Sequence, residues 1–120
     1  MIFLKVNDTY GHAAGDEVLV NVAQVMKKNM AGKGFAARWG GEEFLLVYTN
    51  SDMETALIKL EILAGTIRDM CVEYEDKTIK VTVSIGVATG DSNSVDRVLC
   101  TADDRLYHAK KSGRDRVVSD

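Results

Sequence analysis

The residues Gly40-Gly41-Glu42-Glu43-Phe44 join two short apolar runs, Phe35 to Trp39 and Phe44 to Tyr48. Two such runs around a glycine pair predict a β-hairpin. Glycine suits the turn because it adopts positive φ without steric cost. The turn does not explain two adjacent carboxylates, since like charges at its tip repel each other. They form either a solvated acidic turn or a site for a hard divalent cation such as Mg²⁺, which commonly joins one or two carboxylates to substrate phosphates.

The composition is typical of a single soluble domain spanning residues 1–120. Hydrophobic residues make up 46% of the chain and charged residues 28%, with a formal net charge of −3 at pH 7. This acidic balance argues against a general nucleic-acid binder, which needs a basic face. No apolar run approaches the length of a membrane span and no signal peptide is recognisable, so we expect a cytoplasmic protein without a membrane segment. Cys71 and Cys100 lack metal-binding spacing and are predicted to be reduced, buried thiols.

Hydrophobic spacing predicts three helices and a mostly antiparallel sheet. The helices are predicted from about Ala13 to Met30, from a cap at Ser51 or Asp52 to Met70, and from Val95 to Ser112. Besides the hairpin, strands are predicted at residues 72–74 and 78–88, around a turn at 75–77, and at the sheet edge over residues 116–118. Strict apolar alternation within residues 79–87 indicates a strand with one buried face. Together these elements predict an α+β fold in which helices pack on a sheet.

Two pairs of polar residues flank the predicted helices. Asn7 and Asp16 lie around the start of the first helix, where they either cap it or pair with the donor-rich edge of a guanine base. Lys110 and Arg114 lie four residues apart at the end of the last helix. Cations are favourable at that end for electrostatic reasons, but an arginine fork beside a lysine also suits phosphate binding. The residues alone leave both alternatives open.

Four sequence motifs follow one another along the chain. The first two are Asn7-Asp8-x-x-Gly11-His12-x-x-Gly15-Asp16-x-x-Leu19 and Arg38-x-Gly40-Gly41-Glu42-Glu43-Phe44. The other two are Val81 to Ala88 and Ala102-Asp103-x-x-Leu106-Tyr107-x-Ala109-Lys110-x-x-Gly113-Arg114. In this order they resemble the GGDEF family, the diguanylate cyclases, in its GGEEF form. The resemblance implies a ferredoxin-like sandwich similar to the palm of nucleotidyl cyclases and polymerases.

The resemblance also implies an activity, the condensation of two GTP molecules into cyclic di-GMP with release of pyrophosphate. Because one domain would hold one GTP, it implies a homodimer of facing half-sites, with Mg²⁺ or Mn²⁺ as cofactor. The site residues it implies are Asn7 and Asp16 for guanine, Gly40 and Gly41 for the α-phosphate, Glu42 for the metal, Glu43 for activating the 3′-hydroxyl or holding a second metal, and Lys110 and Arg114 for the β- and γ-phosphates. A sensory domain is expected upstream in the parent protein.

Three features depart from the family pattern. The family has a strand with D-x-D-x-F-K directly before Asn-Asp, but its first, metal-binding Asp has no counterpart here and Leu4 replaces the Lys. We therefore expect a truncated domain that lacks the family's first strand, has unpaired sheet edges and shows weak or no activity. The product-inhibition motif R-x-x-D is replaced by Ala31-Gly32-Lys33-Gly34, which predicts no feedback inhibition there. Asp115 stands where the family usually has Asn, and this change is expected to be minor.

The alternative is a catalytically silent module of bacterial signalling that binds GTP or serves as a dimerisation platform. The intact signature from Gly40 to Phe44 argues for an enzyme. The missing N-terminal Asp and Lys argue for the silent module.

Overall fold

The computed structural model describes residues 2–7, 12–30, 32–49, 51–91 and 93–120, with the backbone alone for residues 2–7 and 12–14. Strands and helices alternate along these segments. They are β1 (Ile2–Asn7), α1 (His12–Met30), β2 (Gly34–Gly40), β3 (Glu43–Tyr48), α2 (Met53–Asp69), β4 (Val72–Tyr74), β5 (Lys77–Ile79), β6 (Thr82–Val87), α3 (Val95–Lys111) and β7 (Arg116–Val118). The predicted α+β fold is confirmed, and so are the three helices, whose bounds differ from the prediction by about one residue.

β1 lies at the centre of a five-stranded sheet with the order β2-β3-β1-β6-β7. It pairs antiparallel with β3 on one side and with β6 on the other. β7 pairs parallel with β6 and forms the predicted edge strand. The expectation of a missing strand and of unpaired edges around it is wrong, because the six residues Ile2–Asn7 fill the central position and bond both neighbours.

Helices cover both faces of the sheet, and each face has its own core. α1 and α2 pack on one face around Val18, Val22 and Met26 of α1, Phe44 and Leu46 of β3, Leu60, Leu63 and Ile67 of α2, and Val83, Ile85 and Val87 of β6. α3 packs on the other face with Val98, Ala102 and Leu106 around Ala88 and Leu45. Neighbouring residues of a strand point to opposite faces, so Phe44 faces α1 whereas Leu45 faces α3.

β6 is buried on both faces, which corrects the prediction of a strand with one buried face. The large residues Val83, Ile85 and Val87 lie beneath α1 and α2, but Gly86 on the other side is buried as well. A Cβ added to Gly86 would lie 2.1 Å from the carbonyl oxygen of Ala102 in α3. The alternation in the sequence is therefore one of large and small residues, and the small ones let α3 approach the sheet.

The residues before β6 form a separate two-stranded sheet of β4 and β5. Its turn residues Glu75 and Asp76 have φ of 46° and 65°, and two consecutive positive φ values are typical of a type I′ hairpin turn. The predicted turn is confirmed. The predicted single strand over residues 78–88 is wrong, because Ile79 still pairs with β4 and β6 begins only at Thr82.

Both cysteines are free and exposed, so the prediction of buried thiols is wrong. Cys71 follows Met70, the C-cap of α2, and Cys100 lies on the solvent side of α3, between the buried Val98 and Ala102. Among the described residues, none of the helices combines the length and apolarity that crossing a bilayer requires.

Candidate functional site

The turn between β2 and β3 presents two glycines to open space. The two strands form the predicted hairpin, with an irregularity between Arg38 and Gly40. Gly41 has φ of 53°, a left-handed conformation that glycine adopts without steric cost. A Cβ added to Gly40 or Gly41 would meet no heavy atom of the described residues within 4 Å. A ligand can therefore approach the backbone of this turn closely.

Arg38 holds this turn in place. Its Nε and Nη2 donate to the carbonyl oxygen of Gly41 at 3.0 and 2.8 Å. The planar guanidinium is rigid, so the two bonds together fix the orientation of the peptide that follows Gly41. Arg38 belongs to the second sequence motif, but its role could not be predicted, because residue types do not show which carbonyl a side chain will bind.

Glu43 begins a row of paired residues that crosses the sheet. It lies opposite Lys5 of β1. Lys5 lies opposite Ser84 of β6, which in turn lies opposite Arg116 of β7. At about 4.8 Å per strand, the row from β3 to β7 spans roughly 14 Å. The β2–β3 turn and the loop before β7 thus lie at the same end of the sheet, and Glu43 shares the face of Leu45, which packs against α3.

The end of α3 brings two cations to this end of the sheet. Lys110 lies in the last turn of the helix and is half-buried. Beyond the helix, Gly113 has φ of 116°, and the backbone nitrogen of Arg114 donates to the carbonyl oxygen of Ala109 at 2.9 Å. This bond satisfies a carbonyl of the helix end, as in the usual C-terminal capping motifs. Lys110 in the last turn of α3 and Arg114 beyond it therefore lie on the side of the sheet that α3 covers, and Glu43 shares this side.

A groove of about 560 Å³ lies on the opposite face, between α1 and β2. Its walls are mainly apolar, and its polar lining comes from Asp16, Gln24, Lys27 and Arg38. Asp16 is exposed near the start of α1, at the same end of the sheet as the β2–β3 turn. A groove of this size with few polar groups is typical of small-molecule sites.

The structure brings the predicted site residues to one end of the sheet, although on both of its faces. Asn7 ends β1 at this end, opposite Thr82, but its side chain lies outside the described part of the chain. Residues 8–11 of the first motif and Ala31 of the replaced inhibition motif lie outside it as well. The site residues whose side chains or turn positions are described are Asp16, Gly40, Gly41, Glu42, Glu43, Lys110 and Arg114.

Glu42 and Glu43 are the candidate metal ligands, and both are half-buried at the turn. In the described part of the chain, no group of three or more His, Cys, Asp or Glu side chains could hold a metal ion. Mg²⁺ does not require such a cage, because it is commonly bound by one or two carboxylates together with water and substrate phosphates. The two carboxylates therefore fit a nucleotide-bound Mg²⁺ or Mn²⁺ better than a structural metal.

Residues 2–116 match the family described as "Diguanylate cyclase, GGDEF domain". This chain belongs to the GGDEF domain family. Diguanylate cyclase A of Treponema denticola is 40% identical to this GGDEF domain over 117 residues, which make up 96% of the chain and 32% of that protein. The chain spans well under half the length of the curated relatives it matches.

Solved structures of other GGDEF domains are similar to this one. Diguanylate cyclase SiaD of Pseudomonas aeruginosa, in complex with its activator SiaC, has a TM-score of 0.90 and 33% identity over 99% of this chain and 48% of that chain. The GGDEF domain of DgcB from Caulobacter crescentus, in complex with c-di-GMP, has a TM-score of 0.85 and 31% identity over 98% of this chain and 75% of that chain. The family and the fold inferred from the motifs are confirmed.

A further contact of this GGDEF domain could not be predicted from its sequence. Arg68, near the end of α2, forms a salt bridge with Asp115 in the loop after α3. No local pattern indicates it, since the two residues are 47 positions apart. The contact borders Arg114, one of the predicted phosphate-binding residues.

Proposed function

We propose that this GGDEF domain is a diguanylate cyclase domain that condenses two GTP molecules into cyclic di-GMP. The 3′-hydroxyl oxygen of each GTP attacks the α-phosphorus of the other, and two pyrophosphates leave. The observation that carries this proposal is the position of the Gly40-Gly41-Glu42-Glu43 turn, at the same end of the sheet as the groove beside Asp16 and the cations at the end of α3. A nucleoside triphosphate bound across this end would meet all three features.

In this proposal the guanine base occupies the groove between α1 and β2. The apolar walls cover the faces of the ring, and the Asp16 carboxylate accepts hydrogen bonds from the ring N–H and amino group. Asn7 supplies an amide at the end of β1. Adenine lacks the ring N–H donor, so a carboxylate at this position favours guanine.

The α-phosphate lies against the backbone of Gly40 and Gly41, where the absence of side chains leaves space. Arg38 supports this role because it holds the Gly41 carbonyl and so keeps the turn in one form. Lys110 and Arg114 neutralise the β- and γ-phosphates, Lys110 as a point charge and Arg114 through a planar fork. The same cations stabilise the charge on the leaving pyrophosphate.

Glu42 and Glu43 would hold the Mg²⁺ or Mn²⁺ ion through their carboxylate oxygens. When bound, the ion supplies positive charge that stabilises the attacking and leaving oxygens. Glu43 lies on the face of Lys110 and Arg114, so it is the carboxylate that faces the phosphates. There it has two candidate roles, as a ligand of a second metal or as the base that takes the proton of the 3′-hydroxyl.

The proposal requires two copies of the domain, because each nucleotide attacks the one held by the other copy. A homodimer of facing half-sites aligns each 3′-hydroxyl with the opposite α-phosphate. Sequence outside this chain, which spans well under half the length of its relatives, would then control when the half-sites meet. We further propose that this outside sequence includes an upstream sensory domain, and that the protein is located in the cytoplasm, where GTP is available.

One observation favours a second candidate, a catalytically silent GTP-binding or dimerisation module. Only two carboxylates lie at the turn, and the described residues contain no larger cluster of metal-binding side chains. Catalysis with two metal ions normally needs more ligands than binding one nucleotide does. The silent module would use the same groove and cations without turnover.

The test is incubation of the pure chain, at high concentration, with GTP and Mg²⁺, followed by chromatographic detection of cyclic di-GMP. We expect Glu42→Ala to lower product formation roughly 100-fold, because it removes a carboxylate from the metal site. The matched control Glu61→Ala removes an exposed carboxylate from α2 and should keep the rate. Unchanged product formation by Glu42→Ala would contradict the proposal. GTP binding without product in the wild-type chain would support the silent module.

A further inference from the structure

The loop between α3 and β7 holds Arg114 in an unusual backbone conformation. Arg114 and Asp115 have φ of 62° and 46°. Residues with a Cβ rarely adopt these left-handed values, because the Cβ crowds the following carbonyl oxygen. Two such residues in succession need contacts from the surrounding structure to hold them.

Arg68 supplies such contacts from α2. Its Nε donates to Oδ2 of Asp115 at 2.9 Å, and its Nη2 donates to Oδ1 at 2.9 Å. A two-pronged contact of this kind fixes both the distance and the orientation of the carboxylate. The pKa of the Arg68 guanidinium is raised above its ordinary value, and the largest cause is the hydrogen bond to Asp115. The ion pair thus joins α2, on one face of the sheet, to the loop that follows α3 on the other face.

Further contacts hold the backbone of Arg114 itself. Its nitrogen donates to the carbonyl oxygen of Ala109 at 2.9 Å, and its carbonyl oxygen accepts from Nε of Arg116 at 3.0 Å. With Asp115 fixed by Arg68, the peptide groups on both sides of Arg114 are restrained. These restraints set the direction in which the exposed side chain of Arg114 leaves the loop.

We propose that the Arg68–Asp115 ion pair positions Arg114 for contact with the phosphates of the bound nucleotide. This inference rests on the proposed function, because it takes GTP as the ligand. Arg68 is a positioning residue, since its effect passes through the loop backbone. Asp115 is then more than a minor departure from the family's Asn, because an Asn side chain carries no negative charge and offers the fork one acceptor oxygen instead of two.

Hydrogen exchange of the backbone amides tests the first step, the restraint of the loop. We expect faster exchange over residues 112–118 in Arg68→Ala and Asp115→Asn than in the wild type. Arg68→Lys keeps the charge but loses the fork, so its exchange should be intermediate. The matched control Arg97→Ala removes an exposed arginine from the first turn of α3 and should leave exchange in this loop unchanged.

Calorimetric titration with GTP and Mg²⁺ tests the second step, the positioning of Arg114. We expect Arg68→Ala to weaken GTP affinity about tenfold, because a small misplacement of a charged group costs much of its contact. Affinity for guanosine, which has no phosphates, should not change. Once Arg114→Ala is present, Arg68→Ala should cause no further loss of GTP affinity, because its effect passes through Arg114.

Unchanged exchange in Arg68→Ala would overturn the inference. Faster exchange with full GTP affinity would also overturn it, since the pair would then stabilise the loop alone. A loss that adds to that of Arg114→Ala, or that affects guanosine equally, would show a general structural effect instead. A wild-type chain that binds no GTP would contradict both the proposed function and the positioning of Arg114 for phosphate contact. The exchange data would still show whether the Arg68–Asp115 pair restrains the loop.

Discussion

A side chain at Gly40 would meet surroundings quite different from those at Gly86. Gly40 ends β2 without a positive φ, and a Cβ there would point into open space. At Gly86 a Cβ would lie 2.1 Å from the carbonyl oxygen of Ala102. The fold therefore requires a glycine at position 86. It does not require one at position 40, and we attribute that glycine to the binding of the ligand.

We predict that Gly40→Ala keeps the free energy of unfolding within about 0.5 kcal/mol of the wild type. It should nevertheless reduce cyclic di-GMP formation, because the added methyl group occupies the space proposed for the α-phosphate. Gly86→Ala serves as the contrasting variant and should lower the free energy of unfolding by roughly 3 kcal/mol, since α3 must move away from β6. Urea denaturation and product formation measure the two effects. Full activity in Gly40→Ala would count against the proposed phosphate position.

Residue types predicted the glycine turn that presents the two carboxylates, because turn formation depends on local chain geometry. They did not predict the roles of Arg38 and Arg68, whose partners are chosen by tertiary structure. The exposure of Cys100 was missed for a similar reason, since it depends on which side of α3 packs against the sheet.

At the level of the helices, α2 begins with a defined cap. Oδ1 of Asp52 accepts a hydrogen bond from the backbone nitrogen of Thr55 at 2.7 Å. This bond lowers the pKa of Asp52, because it favours the charged carboxylate. Asp52, rather than Ser51, is therefore the N-cap of the helix.

We predict that Asp52→Ala lowers the melting temperature at pH 7, and that this loss shrinks in acid. The pKa of Asp52 is lower in the folded than in the unfolded chain, so its stabilisation is complete above the unfolded value of about 4. It is lost as the pH falls through the folded-state pKa. Thermal unfolding of both chains at pH 7 and about pH 2 measures the difference. Ser51→Ala is the control, and a loss for Asp52→Ala that is equal at both pH values would contradict the prediction.

The helices were predictable as elements because each carries a long run of one period. The strands were less predictable from the sequence. Residues 78–88 alternate without a break in the sequence, yet β5 turns away to pair with β4 before β6 begins. The short Ile2–Asn7 segment carries no sign that it lies in the middle of the sheet, since that depends on partners far along the chain.

For the whole molecule, the proposed reaction needs two chains, and this has a kinetic consequence. We predict that the rate of cyclic di-GMP formation per mole of chain rises with chain concentration and levels off once the dimer is saturated. Initial rates over a dilution series, with sedimentation measured in parallel, test this. A constant rate per chain down to concentrations at which the chain is monomeric would contradict the need for two half-sites.

The arrangement of layers was predicted in part. Helices on a sheet followed from the alternation of elements, but their presence on both faces did not. The small residues Ser84 and Gly86 of β6, and Ala88 just beyond it, were the available signal. Gly86 and Ala88 lie against α3. A strand whose second face carries small buried residues has the same two-residue period as a strand whose second face is exposed to solvent. The first pattern is therefore easily interpreted as the second.

The central position of β1 affects how the chain is made. β1 is synthesised before the other strands of its sheet, whereas β6, one of its two partners, emerges from the ribosome only after α2 and the β4–β5 hairpin. Until then a nascent chain with β1 paired to β3 exposes one edge of its middle strand, and such edges invite pairing with other chains. Long-range pairings of this kind also form slowly. We therefore expect the growing chain to be prone to aggregate between the synthesis of Tyr48 and that of Val87.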